Sequence, residues 1–279
     1  MRILMVGDVV GKPGRRIVTE TLPQLREEIG AEFVIANGEN AAKGLGLTRE
    51  TALPLFAAGV DVITLGNHTW AKKDAIAYFD EEQRILRPAN YPSGTPGRGW
   101  GVFTTSSGAK IGVINLLGRI FMEPADCPFR TADQAIETIK DETGGAIIVD
   151  MHGEATSEKS AMGWYLNGRV SAVVGTHTHV QTSDERVLSR GTGYITDVGM
   201  VGPENSILGL DVDAVVTKFV TLIPTRFEVA DGPAVLHAVK IDVNEATGAC
   251  LDIKRIKMGE TEAKLDALLR TRVKSGGEG

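Results

Sequence analysis

The sequence predicts an α/β fold in which two mixed β-sheets are flanked by helices. Short apolar runs rich in Val and Ile alternate with longer stretches of helical periodicity, which is typical of β-α-β units around a largely buried sheet. Two hairpin signals add antiparallel strands. Of the 279 residues, 42% are hydrophobic and 24% charged, which excludes a disordered, collagen-like or coiled-coil protein. We expect a single domain over 1–279, with 274–279 as a frayed tail.

The predicted elements follow one another along the chain in a regular order. Central strands are predicted at 3–6, 33–36, 60–65, 111–117, 146–149 and 172–174. Helices with one apolar face are predicted over 14–29, 48–58 and 131–143. Pro23 and Pro54 lie inside two of these helices and indicate kinks or later starts. The predicted hairpins pair 100–105 with 110–117 and 234–243 with 250–256, and a polar amphipathic helix is predicted over 260–273.

The composition limits the cellular compartment and the binding partners that we expect for this protein. Cys127 and Cys250 cannot build a disulfide framework, and no CxxC pair indicates a thiolate zinc site. The N-terminus lacks the features of a signal peptide, and no apolar run approaches the ~18 residues of a membrane span. We therefore expect a cytoplasmic protein without membrane contact. The net charge of -6 argues against a long nucleic-acid partner such as RNA, and the oligomeric state stays open.

Five of the predicted strands lead directly into residues of metal-binding type. Because parallel strands end at the same edge of a sheet, we expect these segments to converge there. Glycines beside them suit sharp turns that aim a side chain inward. The segments are Gly7-Asp8, Asn37-Gly38-Glu39-Asn40, Gly66-Asn67-His68, Asp150-Met151-His152 and Gly175-Thr176-His177-Thr178-His179.

These segments offer more ligands than one ion can use. Carboxylate and amide oxygens with imidazole nitrogens suit Mn, Fe or Zn, whereas Ca and Mg prefer all-oxygen shells. Two ions about 3.5–4 Å apart form the clamp used for displacement at phosphorus. Each residue alone has an ordinary interpretation as a cap or core group, but four of the five histidines share this setting, and only His237 lies in an unrelated strand. The predicted ligands are Asp8, Glu39, Asn40, Asn67, His152, His177 and His179.

The order of these blocks resembles the calcineurin-like metallophosphoesterases. Three positions depart from the usual family pattern: Val10 stands in place of a His ligand, Glu39 in place of the bridging Asp, and Thr69 in place of an acidic residue. These departures, together with GDVVGKPGR, NGENAAKGLGLT, GNHTW and TDVGMVGP, resemble the YmdB-type branch of 2′,3′-cyclic nucleotide phosphodiesterases. The resemblance implies a four-layer α/β/β/α sandwich and a phosphodiesterase.

The resemblance also implies roles for single residues. One ion is expected on Asp8, Glu39, Asn40 and His179, and the other on Glu39, Asn67, His152 and His177, so that Glu39 bridges them. The ions, Fe or Mn first and Zn as an alternative, are expected to hold a bridging hydroxide that attacks phosphorus. His68 is expected to act as general acid or as a donor to the phosphoryl group.

Two further segments are predicted at the site. Lys43, in the loop after Glu39, is a candidate phosphate contact. The family resemblance implies that 197–203 forms another wall of the site as a loop. The substrate class is left open between a phosphodiester, such as a cyclic nucleotide, and a phosphomonoester or nucleotide. A nucleotide- or RNA-binding regulatory protein with incidental catalysis is the alternative from another class.

Overall fold

The computed structural model describes residues 1–260 and contains thirteen strands, six α-helices and a short 3-10 helix at Lys73–Ala75. The strands are β1 (Arg2–Val9), β2 (Phe33–Asn37), β3 (Val62–Thr64), β4 (Ile85–Leu86), β5 (Trp100–Thr104), β6 (Lys110–Leu117), β7 (Ile147–His152), β8 (Ala172–Thr176), β9 (Arg186–Val187), β10 (Gly193–Ile195), β11 (Met200–Pro203), β12 (Ala234–Val243) and β13 (Cys250–Gly259). The helices are α1 (Gly11–Ile29), α2 (Arg49–Ala57), α3 (Ile76–Glu81), α4 (Pro128–Thr143), α5 (Thr156–Tyr165) and α6 (Val212–Thr221).

The strands form two mixed sheets that pack face to face. The first has the order β13-β12-β11-β1-β2-β3-β4, and the second has the order β5-β6-β7-β8-β10-β9. Side chains alternate along β1, so Ile3 and Met5 lie in the apolar layer between the sheets while Leu4 and Val6 face the helices outside. Helices α1 and α2 cover the outer face of the first sheet, and α4 and α5 cover that of the second. The predicted α/β/β/α arrangement is confirmed.

Several boundaries differ from the predicted ones. Helix α1 begins at Gly11 and continues past Pro23 without a break, and α4 begins at Pro128. Both starts place a proline in the first turn, where its missing N–H costs no helical hydrogen bond. Helix α1 also lies very close to β11, because a Cβ on Gly14 would be 2.2 Å from the carbonyl oxygen of Val201.

Two predicted ligands lie within strands rather than after them. Strand β1 continues past Val6 because β11 pairs with its end, where Asp8 is opposite Met200. Strand β7 reaches His152, which pairs with Thr176 of β8. The expected loop over 197–203 was wrong in part, because its second half is β11, which pairs with β1.

The remaining predictions have mixed outcomes. Both hairpins are confirmed as β5–β6 and β12–β13. The helix predicted over 260–273 and the tail 274–279 lie almost wholly outside the described residues. Among residues 1–260, no helix is both long and apolar enough to cross a membrane.

Candidate metal centre

The structure brings the metal-binding residue types together at the carboxyl ends of the central strands of both sheets. Asp8 of β1 and Glu39 after β2 come from the first sheet, while His152 of β7 and His177 after β8 come from the second. The two sheets meet here, since Glu39 Oε1 lies 3.1 Å from His152 Nε2 and the amide of His177 donates to Asp8 Oδ2 at 3.2 Å. Asp8, Glu39 and His152 are all at least 99% buried. The predicted site residues thus form one cluster between the sheets.

The backbone approaches this cluster closely at the turn after β3. A Cβ on Gly66 would lie 2.3 Å from the His152 ring and 2.4 Å from Glu39 Oε2, so only glycine fits there. Thr69, the departure from the usual family pattern, closes this turn by donating its hydroxyl to the Gly66 carbonyl at 2.6 Å. The turn places Asn67 and His68 beside Glu39, whose Oε2 accepts the His68 amide at 2.9 Å.

Four side-chain atoms converge in what we call the Asn67 group, which consists of Glu39, Asn67, His152 and His177. His152 Nε2 lies 3.1 Å from each of Glu39 Oε1, Asn67 Oδ1 and His177 Nδ1. Ligand atoms about 2.1 Å from one ion and at right angles to each other lie about 3 Å apart. Glu39, His152 and His177 each offer a ligand atom, and all three atoms lie within 4.8 Å of one another. The spacing fits a single metal ion.

The hydrogen bonds behind the rings decide which nitrogens carry protons. Thr176 donates its one hydroxyl proton to Asp150 at 2.7 Å, so it accepts the Nδ1–H of His152 at 2.8 Å. The Nε2 of His177 lies 3.1 Å from Glu154 Oε2 and donates its proton there. When both rings are neutral, a lone pair therefore remains on His152 Nε2 and on His177 Nδ1, which lie 3.1 Å apart. Glu39 Oε1 and Asn67 Oδ1 lie at the same distance from His152 Nε2, and such a set of acceptors fits a cation.

The second set of residues, which we call the Asp8 group, is less regular. It consists of Asp8, Glu39, Asn40 and His179. Asp8 Oδ1 is buried and has no hydrogen-bond partner within residues 1–260, and it lies 3.9 Å from His179 Nε2. His179 donates Nδ1–H to the Leu208 carbonyl at 2.9 Å, which leaves the Nε2 lone pair facing the cluster. An unpartnered buried carboxylate oxygen opposite an imidazole lone pair also fits a cation.

The side-chain amide of Asn40 turns its nitrogen, and not its oxygen, toward the Asp8 group. Its Nδ2 lies 3.1 Å from His179 Nε2, while its Oδ1 lies 2.8 Å from His68 Nδ1. Turning the amide by 180° exchanges the two atoms, and only then does the oxygen face the Asp8 group. The Asp8 group is thus one amide rotation away from a complete ligand set.

Burial and charge shift the pKa values strongly in this cluster. Burial raises the pKa of Asp8 to about 7. Burial opposes ionisation of Glu39 and His152 as well, but their mutual attraction outweighs it, lowering the pKa of Glu39 to about 2 and raising that of His152 to about 9. Burial, together with the charge of His152, lowers the pKa of His177 to about 3. The cluster favours positive charge beside Glu39, which a proton or a metal ion supplies.

Other predicted residues lie around the cluster. Lys43 is exposed in a left-handed turn (φ 61°) in the loop after Asn40. His237 lies on β12, with its Nδ1 buried and without a partner in the described part of the chain. The sequence interpretation missed Thr176, Asp150 and Glu154 as partners of the histidines. One signal existed for Asp150, because it lies two residues before His152 and therefore on the same face of β7.

This fold is that of the calcineurin-like phosphoesterases. The calcineurin-like phosphoesterase YfkN of Bacillus subtilis superposes with a TM-score of 0.56 at 12% identity, covering 98% of this chain and 97% of that one, and it supports the fold alone. A solved structure described as a novel phosphatase of Mycoplasma pneumoniae superposes with a TM-score of 0.87 at 35% identity over 93% of each chain.

The sequence comparisons identify the family to which the chain belongs. The profile of the YmdB-like protein family matches residues 4–256, and the chain belongs to that family. It is 49% identical over 260 residues, 93% of this chain and 98% of the relative, to the 2′,3′-cyclic-nucleotide 2′-phosphodiesterase of Bacillus subtilis (strain 168). The chain is therefore an enzyme, a phosphodiesterase, and Glu39, His152 and His177 form a candidate metal site within it.

Proposed function

We propose that this enzyme hydrolyses a 2′,3′-cyclic nucleotide at a centre of two metal ions. The observation that carries the proposal is the convergence of three acceptor atoms around His152 Nε2, beside Asp8 Oδ1, which has no hydrogen-bond partner within residues 1–260. The substrate class follows the 49% identical Bacillus relative named as a 2′,3′-cyclic-nucleotide 2′-phosphodiesterase.

The two groups would each hold one ion and share Glu39. The Asn67 group supplies two imidazoles, an amide oxygen and a carboxylate, while the Asp8 group supplies one imidazole, an amide and two carboxylates. This mixed nitrogen and oxygen set suits Fe or Mn, with Zn as an alternative. When bound, such ions activate water and neutralise charge on a phosphoryl group.

The side chains also explain why an acidic protein would take an anionic substrate. Asp8 and Glu39 contribute two negative charges to a cluster suited to two divalent cations, so a positive charge of about 2 remains. This local charge attracts phosphate although the whole chain carries -6. Lys43, in the exposed turn of the loop after Asn40, is proposed as a further phosphate contact.

His68 is proposed as the group that donates a proton to the leaving oxygen. Its side chain is 32% exposed, and its Nδ1 lies 2.8 Å from the Asn40 amide. With Asn40 Oδ1 facing the ring, the ring proton is held on Nδ1; with Nδ2 facing it, the neutral ring carries its proton on Nε2. The second orientation, which also turns Asn40 Oδ1 toward the Asp8 group, leaves His68 Nε2–H free to donate.

Elemental analysis of the purified protein, combined with hydrolysis assays, tests this function. We expect two transition-metal ions per chain and hydrolysis of 2′,3′-cyclic nucleotides in preference to a simple diester. Hydrolysis of phosphomonoesters alone would replace the proposal by a nucleotidase at the same centre. Protein without metal, or without hydrolysis of any phosphate ester, would overturn it.

The role of His68 is tested by His68→Ala. We expect kcat to fall by about 10²–10⁴-fold, because general acid catalysis typically contributes that much, while the metal content stays at the wild-type value. A cellular function that survives this change would favour a nucleotide-binding regulator whose catalysis is incidental. Equal kcat in the variant would exclude His68 as the donor.

A further inference from the structure

The loop that carries His177 and His179 has an unusual backbone. Both histidines have left-handed conformations, with φ of 98° and 65°. Residues other than glycine rarely adopt this backbone conformation, and such strain persists only where the surrounding structure enforces it. With this backbone both imidazoles reach the cluster, although they follow β8 directly and are separated by a single residue, Thr178.

A buried carboxylate from the neighbouring strand end holds this loop. Asp197 follows β10, is fully buried, and accepts the amide of Thr178 at 3.0 Å and its hydroxyl at 2.7 Å. Its other oxygen accepts the amide of Gly199 at 2.8 Å. Asp197 therefore binds both the backbone and the side chain of Thr178, the residue between the two histidines.

A buried lysine completes the arrangement. Lys159 of α5 is 1% exposed, and its Nζ donates to Asp197 Oδ2 at 2.8 Å and to the Thr176 carbonyl at 3.1 Å. It thus contacts the residue before His177 as well as the carboxylate behind Thr178. Its charge also neutralises Asp197, which would otherwise be an additional uncompensated negative charge close to Asp8.

We propose that Lys159 and Asp197 are positioning residues of the metal centre, which hold the His177–His179 loop in its left-handed conformation so that both imidazoles face the cluster. This inference rests on the proposed two-metal function. Within residues 1–260, neither side chain is hydrogen-bonded to the converging ligand atoms. Asp197 acts through Thr178, and Lys159 acts through Thr176 and Asp197. The alternative is that the pair only stabilises the fold.

The experiment compares how fast metal-loaded proteins lose their ions to EDTA. Lys159→Met removes the charge at nearly constant length. Thr178→Val removes one hydroxyl donor at constant shape and leaves the ion pair intact. The matched control is Ile139→Ala. It removes a buried side chain of α4 that packs on the outer face of the second sheet, the sheet that contains β8 and β10. Thermal unfolding of each variant is measured alongside.

We expect Lys159→Met to lose its ions about 10-fold or more faster than wild type, and Thr178→Val a few-fold faster, because outer partners of metal ligands commonly contribute 10- to 100-fold in affinity. Ile139→Ala should retain wild-type ion loss at a lower Tm. Ion loss that simply follows Tm across all variants would overturn the inference. If Lys159→Met does not fold, the Thr178→Val variant decides the question by itself. Ion loss at the wild-type rate in that variant would then overturn the inference.

The same measurement separates this inference from the proposed function. Wild-type protein without bound ions would overturn both. Two stably bound ions in the wild type, with equal loss from Lys159→Met, would overturn the positioning role and leave the metal centre intact.

Discussion

The Asn67 group and the Asp8 group share Glu39 but differ in how completely the chain forms them. In the Asn67 group, three ligand atoms already lie 3.1 Å from His152 Nε2. In the Asp8 group, the carboxylate oxygen and the imidazole nitrogen are 3.9 Å apart, and the Asn40 amide presents nitrogen in place of oxygen. Exposure does not explain this difference, because Asp8 and Asn40 are at most 2% exposed.

The difference lies in the elements that support each group. His152 belongs to a central strand, and its ring is anchored on Thr176, which in turn donates to Asp150; both partners are buried. The Nδ1–H of His179 is instead anchored on the carbonyl of Leu208, an exposed residue with a left-handed backbone. A ligand set supported by neighbouring strands is formed before an ion arrives, whereas one on connecting loops needs rearrangement.

Glu39→Gln should have the largest effect, because it alone belongs to both groups. The amide removes the negative charge that compensates both ions, so we expect loss of both ions and of turnover, exceeding the ~10- to 100-fold effect of an outer partner. Metal analysis after gel filtration measures the ion content, and circular dichroism checks the fold. Full occupancy in this variant would show that the two groups do not share Glu39.

His179→Ala should separate the two groups. We expect chelation of the wild type to proceed in two phases, with the Asp8 group losing its ion first because that group must rearrange to bind. The variant should lose only the fast phase and retain about one ion per chain in the Asn67 group, which elemental analysis during EDTA treatment measures. His177→Ala is the control and should affect the slow phase. Identical time courses would mean that the two groups are equally preformed.

The sequence predicted the strand ends as the site because buried apolar runs and the polar residues after them are local features. By that logic the sequence identified seven residues that converge in the structure. The prediction was inexact only for Asp8 and His152, which lie inside strands and not directly after them. The partners behind the rings could not be predicted in the same way. Lys159 and Asp197 meet only when α5 packs beside the end of β10. The orientation of Asn40 depends on contacts with His68 and His179, which lie on two separate segments.

Thr176→Val should weaken the Asn67 group without altering its ligands. The substitution removes the acceptor of His152 Nδ1–H, so the ring loses its fixed tautomer and orientation, and we expect metal affinity to fall about 10- to 100-fold. Thr64→Val is the matched control, because Thr64 also donates to Asp150, at 2.5 Å, but does not contact His152. Competition with a metal-sensitive dye measures both variants. Equal affinities would show that loss of a hydrogen bond to Asp150, and not the His152 anchor, controls the group.

Glu154→Gln should have the smallest effect, although Glu154 also anchors a ring of the Asn67 group. Glu154 is 50% exposed and lies 3.1 Å from His177 Nε2, so water and salt screen its charge, whereas Thr176 is fully buried. A glutamine oxygen can still accept the Nε2–H, and we therefore expect only a few-fold loss of metal affinity, diminishing further at high salt. Affinity measurements at two salt concentrations test this. A loss as large as that of Thr176→Val would mean that anchoring, independent of burial, sets the strength of the Asn67 group.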